Sequence, residues 1–126
     1  MEGNIEAADG IESAAENTIL TAVLGDHPKT LILVTLIGEA GHGINATEIA
    51  RLAGIERSTF YNHIEDLVAF DVVRKTRKVG NSQLYEINTD SPAAESLATL
   101  EWKLIEFMAE AEQNGGLQEI REIIHE

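Results

Sequence analysis

Two short helical patterns that flank Gly54 constrain the fold of this 126-residue chain more than any other feature. The first pattern covers Ala46–Ala53 and the second covers Arg57–Phe70. A glycine between two such helices permits the left-handed or closely packed backbone that a tight turn requires. The inward-facing apolar positions of the second helix are Phe60, Ile64, Leu67 and Val68. The arrangement predicts a helix-turn-helix unit whose first helix is capped by Asn45 or Thr47.

A β-hairpin with a basic first strand is predicted after the second helix. Val72–Val79 is rich in β-branched and basic residues, and Gly80–Ser82 has the composition of a turn. Leu84–Ile87 then returns as the second strand. The hairpin therefore brings a cluster of positive charges to one end of the domain.

Two helices are predicted before this unit. Ile11–Leu24 has apolar residues at roughly helical spacing, so it predicts a helix with one weakly apolar face. Pro28 suits the first turn of a second helix, Pro28–Glu39, for which Asp26 is the nearby cap. Because this second helix is apolar on most sides, we expect it to form the buried centre of the domain.

A long helix is predicted from Ala93 to Gln113, and a short amphipathic helix over Leu117–Glu126. The long helix carries a heptad seam, which predicts that it pairs with another helix. The seam consists of Leu97, Leu100, Leu104 and Phe107. Together with the N-terminal helix it predicts a twofold homodimer, the alternative being a monomer whose long helix only covers the core. Trp102, Phe107 and Met108 fit core or dimer packing better than a ligand pocket.

The charge of the chain is unevenly distributed. The total is −13, with −6 in residues 1–44 and −7 in residues 89–126. Residues 45–88 carry six acidic and six basic side chains, and any anion-binding surface should lie there. The net charge as a whole disfavours nucleic acid and anionic membranes as partners. The chain has no cysteine, no apolar run of membrane-spanning length and no basic secretory leader, so a cytoplasmic location is expected.

Four segments carry a family resemblance: Ala46–Ile55, Arg57–Leu67, Asp71–Lys75 and Gly80–Ile87. Across residues 28–88 the chain resembles bacterial and archaeal winged helix-turn-helix transcriptional regulators of the ArsR/MarR-like kind. Its acidity and short flanking helices are similar to small haloarchaeal members. The resemblance implies a mainly α, α+β fold with a hairpin wing and double-stranded DNA as the partner. The recognition helix departs from the family by having Glu56 at its cap, so the helix starts there or after Ser58.

The expected DNA-binding residues form two groups. On the recognition helix they are Arg57, Ser58, Thr59, Tyr61, Asn62 and His63. On the wing and its flank they are Arg74, Lys75, Arg77, Lys78, Asn81 and Ser82. Arginine reads guanine and asparagine reads adenine in the major groove, whereas hydroxyl groups at a helix start and a cationic hairpin tip suit phosphates or the minor groove.

Other interpretations of the same residues stay open. The Arg57–Leu67 helix and the Arg74–Lys78 run could be solvated faces, and His63 could be a surface or packing residue. His27, His42 and His125 lack metal-ligand spacing between them, and the alternative is a sensor metal held by His125 with Glu122 or Glu126. No catalytic motif or cofactor fingerprint is found, so no enzyme activity, cofactor or metal is expected. The competing functions are a protein-interaction module that does not bind DNA and a ligand-gated sensor, whose effector is unknown.

The expected organisation has three parts. Residues 1–27 form an acidic arm and helix, residues 28–90 the DNA-binding domain, and residues 91–126 the dimerisation helix and tail. The acid excess, with only four lysines, predicts a halophilic and archaeal setting in which salt screens the repulsion between the protein and DNA.

Overall fold

The computed structural model describes residues 18–114, which form five α-helices and one small antiparallel sheet. The helices are α1 (Ile19–Leu24), α2 (Pro28–Gly38), α3 (Ala46–Ala53), α4 (Arg57–Ala69) and α5 (Pro92–Gln113). The strands are β1 (Ile44–Asn45), β2 (Val73–Val79) and β3 (Ser82–Ile87). The α+β class and the order of helices and hairpin predicted from the sequence are confirmed.

The hydrophobic core lies between α2, α3, α4 and the sheet. Helix α2 contributes Ile32 and Leu36, both fully buried, and is the centre of the domain as predicted. Phe60 and Ile64 of α4 are also fully buried and join the same cluster. This burial fixes the rotation of α4 about its axis, and therefore decides which of its side chains face solvent.

The helix-turn-helix is built by local signals. The side chain of Asn45 accepts a hydrogen bond from the Glu48 N–H at 2.9 Å and caps α3, and Gly54 ends that helix with a φ of +76°. Helix α4 begins at Arg57 with Glu56 at the N-cap, where no side-chain hydrogen bond forms. The alternative start after Ser58 is therefore wrong.

Two predictions for the N-terminal part are corrected. Thr18 has extended backbone and its Oγ1 accepts from the Thr21 N–H at 3.2 Å, so α1 begins at Ile19 and not at Ile11. Residues 11–17 lie outside the described part of the chain. The cap of α2 is His27, not Asp26, because Pro28 is the first helical residue and the N-cap is the one directly before it. The Nδ1 atom of His27 accepts from the Lys29 N–H at 3.0 Å.

The sheet contains one strand that the sequence analysis missed. Strand β1 pairs with β3, which gives the antiparallel order β1-β3-β2. The pairing ties the loop before α3 to the wing, so the helix-turn-helix and the hairpin share one sheet. Within residues 18–114, no helix has both the length and the hydrophobicity needed to cross a bilayer. The helix predicted for Leu117–Glu126 lies outside the described residues.

Candidate nucleic-acid interface

The outer face of α4 presents polar side chains at its N-terminal end. Phe60 points inward and meets the ring of Tyr85 edge-on at 5.3 Å, which sets the opposite face toward solvent. The predicted residues that are exposed on this face are Arg57, Ser58, Tyr61 and Asn62. Thr59 and His63 are half-buried at its margins. The helix thus has the outward polar surface that insertion into a major groove requires.

A groove of about 390 Å³ lies between the start of α4 and the wing. The predicted residues that line it are Arg57, Tyr61, Lys75, Lys78, Asn81 and Ser82. Tyr85 also lines it, and burial raises the pKa of this phenol. Six of the twelve expected residues, drawn from both groups, therefore line one concave, polar and cationic surface.

A β-bulge decides which wing cations face this groove. Lys75 lies opposite Tyr85 and Lys78 lies opposite Gln83, so three steps along β2 match two steps along β3. In a regular strand, residues two apart share a face, whereas the extra residue here puts Lys78 on the side of Lys75. Arg77 instead lines a cleft on the other side of the wing, next to the Gly41–Gly43 loop.

Arg74 does not line the groove, and its guanidinium forms ion pairs with two carboxylates. Its guanidinium donates to Oε2 of Glu86 at 2.7 and 2.9 Å and lies 3.2 Å from Oδ2 of Asp90. The hydrogen bond to Glu86 is the main reason why the pKa of Arg74 is raised above its usual value. Because this charge is already satisfied, the placement of Arg74 does not support its predicted role at the interface.

The unpaired positive charges of the described chain all lie at this end. Residues 18–114 contain eight basic side chains, and five of them form ion pairs. The three that have no carboxylate partner in this range are Arg57, Arg77 and Lys78. Arg57 lies over the Tyr61 ring, 5.9 Å from its centroid. Lys75 is 3.2 Å from Glu65, an exposed pair of the kind that contributes little stability.

His63 is placed by packing against α2. Its ring meets the ring of His27 edge-on at 4.9 Å, and the side chain is half-buried. Nearby, Lys29 pairs with Asp66 at 2.7 Å, and this contact lowers the pKa of that carboxyl. These contacts favour the packing interpretation of His63. No group of three histidine, aspartate or glutamate side chains in residues 18–114 is arranged to hold a metal, and His125 lies outside that range.

Besides Ala46 and Tyr85, three polar residues that line the groove were missed by the analysis of the sequence. Asn45 and Thr47 come from the start of α3, and Gln83 comes from β3. The sequence marked the first two only as helix caps. Asn45 reaches the groove because it pairs with Leu84 across β1 and β3, and nothing in the sequence signals that pairing.

Helix α5 leaves much of its apolar surface uncovered by the described chain. Of the predicted seam, Leu97 and Leu104 are half-buried, while Leu100 and Phe107 are exposed. Trp102 is 59% exposed and Phe107 61% exposed. The helix packs chiefly against α1. Trp102 and Phe107 therefore do not belong to the core of the described chain.

The sequence matches no family model and no curated protein. Among solved structures, the fold is similar to a MarR-family transcriptional regulator from Silicibacter pomeroyi, with a TM-score of 0.52 and 16% identity over 96% of this chain and 80% of that one. A predicted DNA-binding transcriptional regulator from E. coli matches with a TM-score of 0.47 and 24% identity over 80% of this chain and 97% of that one. The first likeness, together with the helix-turn-helix and the hairpin, shows that the chain has a winged helix-turn-helix fold.

Proposed function

We propose that the protein is a homodimeric transcription regulator that binds promoter DNA sequence-specifically. The observation that carries the proposal is the position of the unpaired cations. In a chain of net charge −13, the basic groups without a carboxylate partner in residues 18–114 gather at the start of α4 and on the wing. Polyanionic DNA is the partner that such a local surface on an acidic protein fits best.

Each residue assigned to the proposed interface, in the groove or beside it, has a role set by its chemistry. Arg57 and Asn62 are the candidates for base reading, because their side chains make bidentate hydrogen bonds to guanine and adenine. Ser58 and Thr59 at the helix start suit phosphates. On the wing, the residues assigned to phosphates and the minor groove are Lys75, Arg77, Lys78, Asn81 and Ser82. His63 and Arg74 are left out of this set because their contacts within the protein already engage them.

The direct test is an electrophoretic mobility shift with genomic fragments in molar KCl, followed by binding measurements on an enriched site. Asn62→Ala should relax the preference at one base pair, at a cost of about 1–3 kcal/mol for the specific site only. Lys78→Ala should weaken binding to all sequences alike. Lys103→Ala is the matched control, because this lysine lies on α5 and its Glu106 partner is 3.9 Å away. No shifted fragment, or equally small effects of all three changes, would favour a protein-interaction module instead.

The homodimer part of the proposal rests on α5. Trp102 and Phe107 are large apolar side chains on a helix that ends at Gln113, and soluble monomers seldom leave such a surface uncovered. Pairing through α5 and α1 would set the two recognition helices about 34 Å apart, one turn of DNA, along a pseudopalindromic site. Phe107→Glu should halve the mass measured by analytical ultracentrifugation, whereas Lys103→Glu should leave it unchanged. A wild-type chain that sediments as a monomer would contradict the dimer.

A ligand-gated regulator is the second candidate, and one cavity favours it. A space of about 270 Å³ lies between the end of α2 and the start of α5. Its lining is mostly apolar and includes Ile37, Ile87, Ala94 and Ala98. Thermal-shift screening with metabolites and metals, with Ala98→Phe as the filled-cavity control, tests this candidate. A ligand that raises the melting temperature of the wild type but not of the variant would support it.

The excess of acidic residues bears on the salt concentration at which the protein would bind DNA. We propose that the protein works in high salt, where a Debye length of about 3 Å at 1 M removes long-range repulsion between its acidic flanks and DNA. The alternative is that the acidic surfaces face away from DNA because the dimerisation helices lie behind the recognition helices.

A further inference from the structure

Asn88 is a buried amide in the connection between the wing and α5. Among residues 18–114, the other buried polar side chains are two threonines and Ser91. The amide has hydrogen-bond partners on both of its ends. A buried amide with this many partners is held in one orientation, because any rotation leaves a donor or acceptor unsatisfied.

Two donors of Asn88, its side-chain amide and its backbone N–H, bond to the turn that follows α4. Its Nδ2 donates to the backbone carbonyl of Asp71 at 3.0 Å, and its backbone N–H donates to the carbonyl of Val72 at 2.8 Å. Asp71 follows the C-cap of α4 directly and has a φ of +65°. It is the one non-glycine residue with positive φ in the described chain, so the turn is in a conformation that its surroundings must maintain.

Two acceptors of Asn88, its Oδ1 and its backbone carbonyl, bond to the residues just before α5. Its Oδ1 accepts from the Asp90 N–H at 3.1 Å, and its backbone carbonyl accepts from the Ser91 N–H at 3.0 Å. Ser91 is buried and its Oγ accepts from the Ala94 N–H at 3.3 Å, which caps α5. The guanidinium of Arg74 lies 3.3 Å from the same Oδ1 and links the wing to this point.

We infer that Asn88 is a positioning residue that fixes the direction of α5 relative to the C-terminal end of α4. The side-chain amide of Asn88 bonds to Asp71 and Asp90, each two residues beyond a helix end, so a change in the angle between the helices strains or breaks a partly buried hydrogen bond. Helix α5 is 22 residues long and therefore acts as a lever of about 33 Å at 1.5 Å per residue. The consequence rests on the proposed function. In a dimer paired through α5, the angle between α4 and α5 sets the distance between the two recognition helices.

The test measures the distance between α4 and α5 within one chain, in the absence of DNA. The chain has no cysteine, so Ala69→Cys on α4 and Glu110→Cys on α5 allow two spin labels in the full-length protein. Both positions are exposed. Double electron–electron resonance, with excess unlabelled chain to suppress signals between copies, then reports the distance distribution within one chain. Asn88→Asp keeps the acceptor toward α5 and loses the donor to Asp71. Asn88→Ser shortens the side chain and removes the amide that bonds to both Asp71 and Asp90.

We expect a narrow distribution for the wild type and a shifted or broadened one for Asn88→Asp at unchanged helix content by circular dichroism. Asp90→Asn is the matched control: it removes an exposed carboxylate of the same network, keeps the Asp90 N–H, and should leave the distribution as it is. If the Asn88 variants melt at a lower temperature but keep the wild-type distance, Asn88 is only a stabilising residue and the inference is wrong. If Asn88→Asp does not fold, Asn88→Ser decides by the same readout, and a wild-type distance again overturns it. Failure of DNA binding leaves this measurement unaffected.

Discussion

The hydroxyl groups of the two buried threonines in residues 18–114 differ in their hydrogen bonding. Thr21 donates from its Oγ1 to the Thr18 carbonyl at 2.8 Å within the cap of α1. Thr35 lies in the middle of α2, and its Oγ1 has no hydrogen-bond partner within residues 18–114. A buried hydroxyl without a partner costs free energy that an isosteric methyl group does not.

We therefore predict opposite effects for the same substitution. Thr35→Val should raise the free energy of unfolding by about 1 kcal/mol, because it removes an unsatisfied polar atom at constant volume. Thr21→Val should lower it by about 1 kcal/mol, because it deletes a made hydrogen bond. Urea unfolding followed by circular dichroism measures both. A loss of stability in Thr35→Val would contradict the prediction and mean that this hydroxyl makes a hydrogen bond in the folded protein.

At the scale of elements, the wing is held against the loop before α3 by a close approach at Gly43. A Cβ added there would lie 3.0 Å from Oγ1 of Thr76 and 3.1 Å from Cβ of Leu84. Leu84 is paired with Asn45 across the β1–β3 ladder, so this part of β3 has little freedom to move away. The absence of a side chain at Gly43 is therefore part of what lets β1 join the sheet.

Gly43→Ala should accordingly destabilise the protein by about 1–3 kcal/mol, the usual cost of overpacking. Because it pushes on the bulged part of β2, it should also weaken DNA binding under the proposed function. Gly38→Ala is the matched control, since the added Cβ would meet nothing within 4 Å and α2 continues through Gly38. We expect it to be neutral or slightly stabilising by the same urea titration. Equal effects of the two alanines would refute a steric role for Gly43.

The elements also show how far the sequence determines the fold. Helix α3 was predicted with its true bounds, because Asn45 and Gly54 are local signals at its two ends. The pairing of β1, the bulge in β2 and the ion pair between Arg74 and Glu86 were not predicted. Each depends on which residues meet across the sheet, twelve positions apart for that ion pair, and neither periodicity nor composition encodes the register.

For the whole molecule, the distribution of charge connects the fold to the proposed function. Residues 45–88 are neutral overall, and the flanks carry −6 and −7. Within this neutral segment the ion pairs engage Arg51, Arg74 and Lys75, so the remaining cations are the ones at the groove and the wing. The hydrogen bond with Arg51 is the main cause of the lowered pKa of Glu48. Pairing thus concentrates the free positive charge where the recognition helix lies.

This charge distribution predicts an unusual dependence of DNA binding on salt. A basic repressor that makes 6–10 phosphate contacts loses about 10³–10⁵ in affinity between 50 and 200 mM salt, because it releases cations from DNA. Here the acidic flanks must take up cations when they approach DNA, so we expect a much shallower loss, or a gain, toward molar KCl. Fluorescence anisotropy of a labelled duplex across a KCl series measures the slope of log K against log salt. Replacing the exposed Glu106, Glu110 and Glu112 of α5 by glutamine should make that slope more negative. A wild-type slope as steep as that of a basic repressor, unchanged by the glutamines, would rule out a role of the acidic flanks in binding.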